Sequence, residues 1–149
     1  MKSFIYKLVL LGGLPLTLLL NSCSKDNSYN GTVITESYGD NKLLNHNLAV
    51  PLAIHDTTDI TDNFRGFVFN FTGTGGGPAT AKKDTLTIHG SWTMNATHDR
   101  IAFDFPPGPM QLQLLEFMNR EWLIGAGTDP VRLVPVDGQN DQLFFSAVN

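Results

Sequence analysis

The chain has 149 residues, a formal net charge of −4 and a single cysteine. That length suits one domain once any leader is removed. The acidic balance, with Lys and Arg scattered, excludes the clustered basic surface that nucleic acid demands. One Cys excludes a disulfide within the chain.

Residues 1–7 carry positive charge at Lys2 and Lys7 and no acid, and an apolar run follows from Leu8 to Leu20, broken only by Gly12, Gly13, Pro15 and Thr17. As a helix that run would be about 20 Å long at roughly 1.5 Å per residue. A hydrocarbon core is about 30 Å thick, so the run is short for a spanning helix. A basic start, a short apolar stretch and small residues behind it are the layout of an export signal. Leu20-Asn21-Ser22-Cys23 then resembles the lipobox of bacterial lipoprotein signals, with Asn21 departing from the usual Ala, Ser, Thr or Val. The resemblance implies removal of residues 1–22, a diacylglycerol on the Cys23 thiol and often a third acyl chain on its freed amine. A thiol suits that chemistry because the thiolate is a good nucleophile, and two or more chains anchor stably where one does not. Residues 24–30 are polar and without apolar period, so 23–30 reads as a lipidated N-terminus and tether. Lys25-Asp26 partly resembles the signal that sends lipoproteins to the cell surface in Bacteroidota.

Past the tether, period-2 alternation dominates. Thr32 to Ser37 reads as a strand. Asn41 to Asn63 is long and mixed, and its end, Asp59 to Phe64, suits a helical turn. Phe67, Phe69 and Phe71 share one strand face, opposite Val68 and Asn70. Gly73 to Pro78 and Lys82-Lys83-Asp84 read as turns. In Thr85 to Met94, Leu86, Ile88, Gly90, Trp92 and Met94 face one way and polar residues the other, the pattern of a half-buried strand. After a turn at Asn95 to Asp99, Ile101, Phe103 and Phe105 alternate with Ala102 and Asp104. Met110 to Arg120 matches helix and strand templates, and a short helix is the expectation. Val131 to Val136 is a strand whose Pro135 suggests an edge or a bulge. Asp137 to Asn140 turns the chain into a last strand on which Leu143, Phe145 and Ala147 alternate, with Phe144 and Val148 making the other face less polar.

From Gly31 to Val148 the order of motifs resembles the lipocalin-like lipoproteins common in Bacteroidota. The residues that carry it are Gly66-Phe67-Val68-Phe69-Asn70-Phe71, Ile88-His89-Gly90-Ser91-Trp92, Ile101 to Phe105, Met110 to Met118, the Trp-led Trp122-Leu123-Ile124, Val131 to Val134 and Leu143 to Val148. Gly31-Thr32-Val33 departs from the family's Gly-x-Trp first strand. The resemblance implies an all-β domain over 31–149: a small antiparallel up-and-down barrel of about eight strands with one short helix. A barrel of that size is filled by side chains or shaped into a single cavity.

Phe67, Phe69, Phe71, Trp92, Phe103, Phe105 and Phe145 are the candidate barrel interior, as walls for a small apolar ligand or simply as core. His46, His55, His89 and His98 lack the short spacings of zinc sites. Asp56, Asp59 and Asp62 lack the EF-hand alternation and its closing Glu. No Gly-x-Ser-x-Gly elbow is present, and Gly73 to Gly77 lacks the Gly-Lys-Ser/Thr of a phosphate loop. Asp84-Thr85-Leu86 resembles an O-glycosylation acceptor of Bacteroidota, and Asp56-Thr57-Thr58 does so more loosely. Asn30, Asn70 and Asn95 open N-glycosylation patterns, which a bacterial envelope protein normally ignores. The expectation is a non-enzymatic, cofactor-free and metal-free outer-membrane lipoprotein facing the periplasm or the cell surface. Its partners would be the membrane, through Cys23, and either a small apolar ligand or an envelope protein that meets a filled barrel.

Overall fold

In this computed structural model, residues 37–108, 113–127 and 129–148 are described. The export signal, Cys23, the tether, Gly31-Thr32-Val33 and residues 109–112 lie outside them. The elements are α1 Ser37–Leu43, β1 Leu48–His55, β2 Thr58–Asp59, α2 Thr61–Phe64, β3 Val68–Phe71, β4 Gly76–Lys83, β5 Leu86–Met94, β6 Arg100–Asp104, α3 Gln113–Met118, β7 Glu121–Ile124, β8 Val131–Pro135 and β9 Gln142–Ala147. Each of β3 to β8 pairs antiparallel with the next, and β9 returns to pair with β1, which also meets β3. Eight strands thus close into an up-and-down barrel, with β2 a short flap hairpinned onto β1. Closure leaves the barrel wall no free edge. Among the described residues no helix is long and apolar enough to cross a membrane.

The strand that closes the barrel is β1, inside the stretch that reads as mixed. Leu48 to Ile54 is almost continuously apolar and carries Pro51, both of which hide its alternation. The β1–β9 register shifts between Ala49 and Leu52, and this bulge leaves Pro51 exposed. Ser37 opens α1 rather than ending a strand. The glycine turn is shorter than its composition suggests, because Gly76, Gly77 and Pro78 already pair with Thr93, Trp92 and Ser91. β8 is neither an edge nor bulged: it pairs with β7 and β9, and Pro135 is its last residue, opposite Trp122. The missing proline amide costs little there, since Val136 N–H continues the ladder to Glu121 O at 3.1 Å. The helical turn after Asp59 and the helix before Arg120 form as expected, as α2 and α3.

One face of each of the eight barrel strands fills the barrel. Phe69 lies within 5.6–6.4 Å, centroid to centroid, of Phe64, Phe67, Phe105 and Phe145, and Phe145 also meets Phe71 and Phe103. Most of these contacts are edge-to-face or tilted, which suits the ring quadrupole. At one end α1 tucks Leu43 and Leu44 into the core, while at the other Phe64 of α2 and Leu115, Phe117 and Met118 of α3 are buried. Trp92 and Trp122 are buried with their indole N–H groups donating to the carbonyls of Thr72 (3.0 Å) and Met118 (2.9 Å). Gly90 is dictated by proximity: a Cβ there would lie 2.5 Å from the Asp104 carbonyl and 2.7 Å from the Phe105 ring.

Two substitutions test this packing in urea unfolding. Phe69→Ala should cost about 3–5 kcal/mol by leaving a cavity among four rings. Gly90→Ala should cost at least about 1–3 kcal/mol by overpacking, and an unchanged midpoint would show that β5 and β6 are not in this contact.

Candidate functional site

All seven side chains named as interior by the sequence, Phe67, Phe69, Phe71, Trp92, Phe103, Phe105 and Phe145, converge on the barrel axis and are at most 5% exposed. They touch one another; Phe71 and Phe103 are only 4.9 Å apart. This is one packed cluster, built from β3, β5, β6 and β9.

The outer surface is two-sided, because adjacent residues of a strand face opposite ways. On β3 to β6 the outward positions are mostly polar: Asn70, Thr80, Lys82, Thr87, His89, Ser91, Thr93 and Asp104. On β7, β8, β9 and β1 they include Leu123, Val134, Phe144, Leu52 and Ile54, all half-buried. Register pairs them in two groups: Leu123 is opposite Val134, and Phe144 is opposite Leu52, with Arg132 facing Phe144 and Gln142 facing Ile54 between them. A groove of about 470 Å³ runs over the same face, with Leu123, Val134 and Val136 on its floor and Arg132, Gln139 and Asp141 among its polar lining. The sequence signal for this face was the apolar Phe144; the β1 side was hidden with β1 itself.

At the upper end of the groove sits Asp141, the one buried polar or charged residue among those described, at 1% exposure. Its Oδ1 accepts the Asp56 amide at 2.7 Å and His55 Nδ1–H at 2.9 Å, and its Oδ2 accepts Arg120 Nη1–H at 2.7 Å. Burial alone would raise the Asp141 carboxyl; the Asp56 amide, His55 and Arg120 outweigh it and hold it below the ordinary aspartate value. Arg120 is itself positioned by Phe117 and Trp122, whose rings lie 5.5 and 5.6 Å from its guanidinium carbon. One carboxylate therefore ties β9, the β1–β2 turn and the α3–β7 joint together. Residues 85 and 21 positions apart meet here, a separation that no local pattern reveals.

His55, Asp56 and Asp141 each offer a donor atom, all within 4.8 Å of one another. The arrangement suits an ion pair better than a metal. Both Asp141 oxygens are already engaged, and a cation between them would meet the Arg120 guanidinium. The other histidines are dispersed: His98 pairs with Asp40 of α1 at 2.9 Å, His46 bonds the Asn41 carbonyl, and His89 is exposed on the outer wall. Asp62 pairs with Arg65, and Asp59 accepts the Thr61 amide at the start of α2, whose side-chain and backbone hydrogen bonds hold its carboxyl below the usual value.

No family model and no curated protein matches the chain. A solved structure of a DUF4847 family protein from Bacteroides vulgatus is similar over 57% of this chain, at 22% identity and a TM-score of 0.43. The matched region spans 61% of that protein's length. A likeness of that extent leaves the assignment of a role to the geometry of this chain.

Replacing Asp141 with Asn should lower stability by about 1.5–3 kcal/mol, the range for hydrogen bonds to a charged group. The check is the shift in the urea midpoint, and no shift would mean that the network does not hold this end of the barrel.

Proposed function

We propose that this protein is a non-enzymatic, lipid-anchored component of the bacterial cell envelope that acts through the outside of a filled barrel, as an interaction module or accessory subunit. The observation that carries this is the packed aromatic interior. Side chains that would have to line a cavity contact one another instead, and helices pack against both barrel ends. The apolar outer face then has a natural use. Apolar side chains clustered among polar ones on an outer wall are a common setting for a protein contact. The anchor is supported by the lipobox-like Leu20-Asn21-Ser22-Cys23 alone; through it, acyl chains on Cys23 would hold the barrel a short tether from the outer membrane, on its periplasmic or surface side.

Three measurements test this reading. Crosslinking and pull-down of the full lipidated chain should recover a partner that is lost, at least tenfold, in the Phe144→Gln, Leu123→Gln double variant, with the folding midpoint within about 1 kcal/mol of the parent. Cys23→Ser should abolish membrane partition and the acyl mass; unchanged processing and mass would remove the anchor from the reading. Native mass spectrometry of residues 24–149, purified without detergent, should show the bare chain mass. A reproducible extra mass removed by organic solvent would instead revive an interior ligand site among the seven aromatic residues.

A further inference from the structure

The groove over β7, β8 and β9 carries opposite charges at its two ends, with Asp56 and Asp141 lining one and Arg132 the other. Asp141 is already matched, because its oxygens accept from His55 and Arg120. The carboxylate that faces a visitor is therefore that of Asp56, exposed in the β1–β2 turn. Arg132 is half-buried on the outer side of β8, opposite Phe144 of β9. Its neighbour on β7 is Gly125, whose amide donates to the Arg132 carbonyl at 2.7 Å and which adds no side chain to the wall. A guanidinium has five N–H donors, more than one contact within the chain can use. Register sets the spacing of the two charges. Phe144 is also opposite Leu52, and Asp56 lies four residues beyond Leu52. At roughly 3.3 Å per residue the two levels are about 13 Å apart along the strands.

Between the charges the floor is apolar, with Leu123, Val134 and Val136, and the lining carries three side-chain amides, Gln139, Asn140 and Gln142. A closed barrel offers a peptide no edge strand to pair with. The main-chain N–H and C=O groups of an extended segment must then find partners in side chains, and an amide supplies two donors and an acceptor. Gln139 is already oriented for this, its Oε1 accepting from Arg120 at 2.7 Å and its amide nitrogen left to donate. We propose that the groove binds one extended peptide segment of a partner protein. An acidic residue of that segment lies against Arg132, aliphatic side chains lie over Leu123 and Val134, and a basic residue about four positions away lies against Asp56. The opposite charges at the two ends set the direction of the segment, because a reversed one would place like charges together. Such a segment presupposes the interaction-module reading, of which it is the partner's side.

The test places a photo-reactive amino acid at Val136 of the full chain, made in the bacterium that encodes it, and sequences by mass spectrometry whatever irradiation links there. The expected product is a stretch of another envelope protein in which an aliphatic residue stands between an Asp or Glu and a Lys or Arg about four positions apart. Its yield should fall at least about tenfold in Arg132→Glu and return when the partner's acid is changed to Arg. Asp56→Asn, which keeps a residue that tolerates the left-handed turn, should lower it severalfold. Circular dichroism and the urea midpoint of each variant should match the parent, since both side chains lie outside the packed core. A linked segment without that acid, or a yield indifferent to Arg132→Glu, overturns the proposal and leaves the interaction module standing. Linkage to a second copy of this chain, to its own residues 24–36 or only to a small molecule overturns the proposal as well. No protein linked from Val136 or, in a second preparation, from Phe144 overturns both readings.

Discussion

The contact between Phe69 and Phe145 is the constraint on which the barrel turns. These two rings come from β3 and β9, which flank β1, and they meet on the inner side of that strand at 5.6 Å. A small barrel has a fixed interior volume, so large inward side chains from its strands have to share it without voids or overlap. Phe69 and Phe145 take the middle, and their neighbours adjust to them: Phe105 fits only because Gly90 has no side chain, and Phe64 reaches down from α2 to close the top. Small residues elsewhere on the inner wall, Ala53, Ala79 and Ala81, are the counterpart of this bulk.

Filling the inside shifts attention to surfaces. The outer side chains are mostly polar on β3 to β6, while β7, β8, β9 and β1 also carry Leu123, Val134, Phe144, Leu52 and Ile54. The carboxylate of Asp141 is held ionised in a buried setting by an amide and two cations or potential cations, which costs desolvation that an apolar residue would avoid. What it supplies is a fixed geometry between the β1–β2 turn, the start of β9 and the residue before β7, beside the outer groove.

The strands with strict alternation are legible in the residues alone, since Thr85 to Met94 and Ile101 to Phe105 obey a period that burial on one side imposes. β1 is not, because Pro51 and the bulge around it break the period and a run such as Leu-Ala-Val-Pro-Leu-Ala-Ile has no polar face. Pro135 misleads in the opposite way: proline is excluded from the middle of a ladder and not from the final residue of an interior strand. Membership of the interior can be read residue by residue, whereas the packing of those residues against one another cannot, because alternation tells direction and nothing about distance. Asp141 and Arg120 are invisible for a related reason. Their importance comes from a meeting of distant segments, and neither has a local pattern that sets it apart from any surface Asp or Arg.

The backbone of Val148 donates to the carbonyl of Asn47 at 2.9 Å, so the first residue after β9 and the residue before β1 are held side by side. Within the barrel the chain therefore has no privileged beginning. The order of strands around the ring is a cycle, and the place where the polypeptide is cut is incidental to it. Joining Val148 to Asn47 by a short linker and reopening the ring at a hairpin would keep the strand order around the ring, and the barrel would become a circular permutant of itself that lacks only the α1 plug.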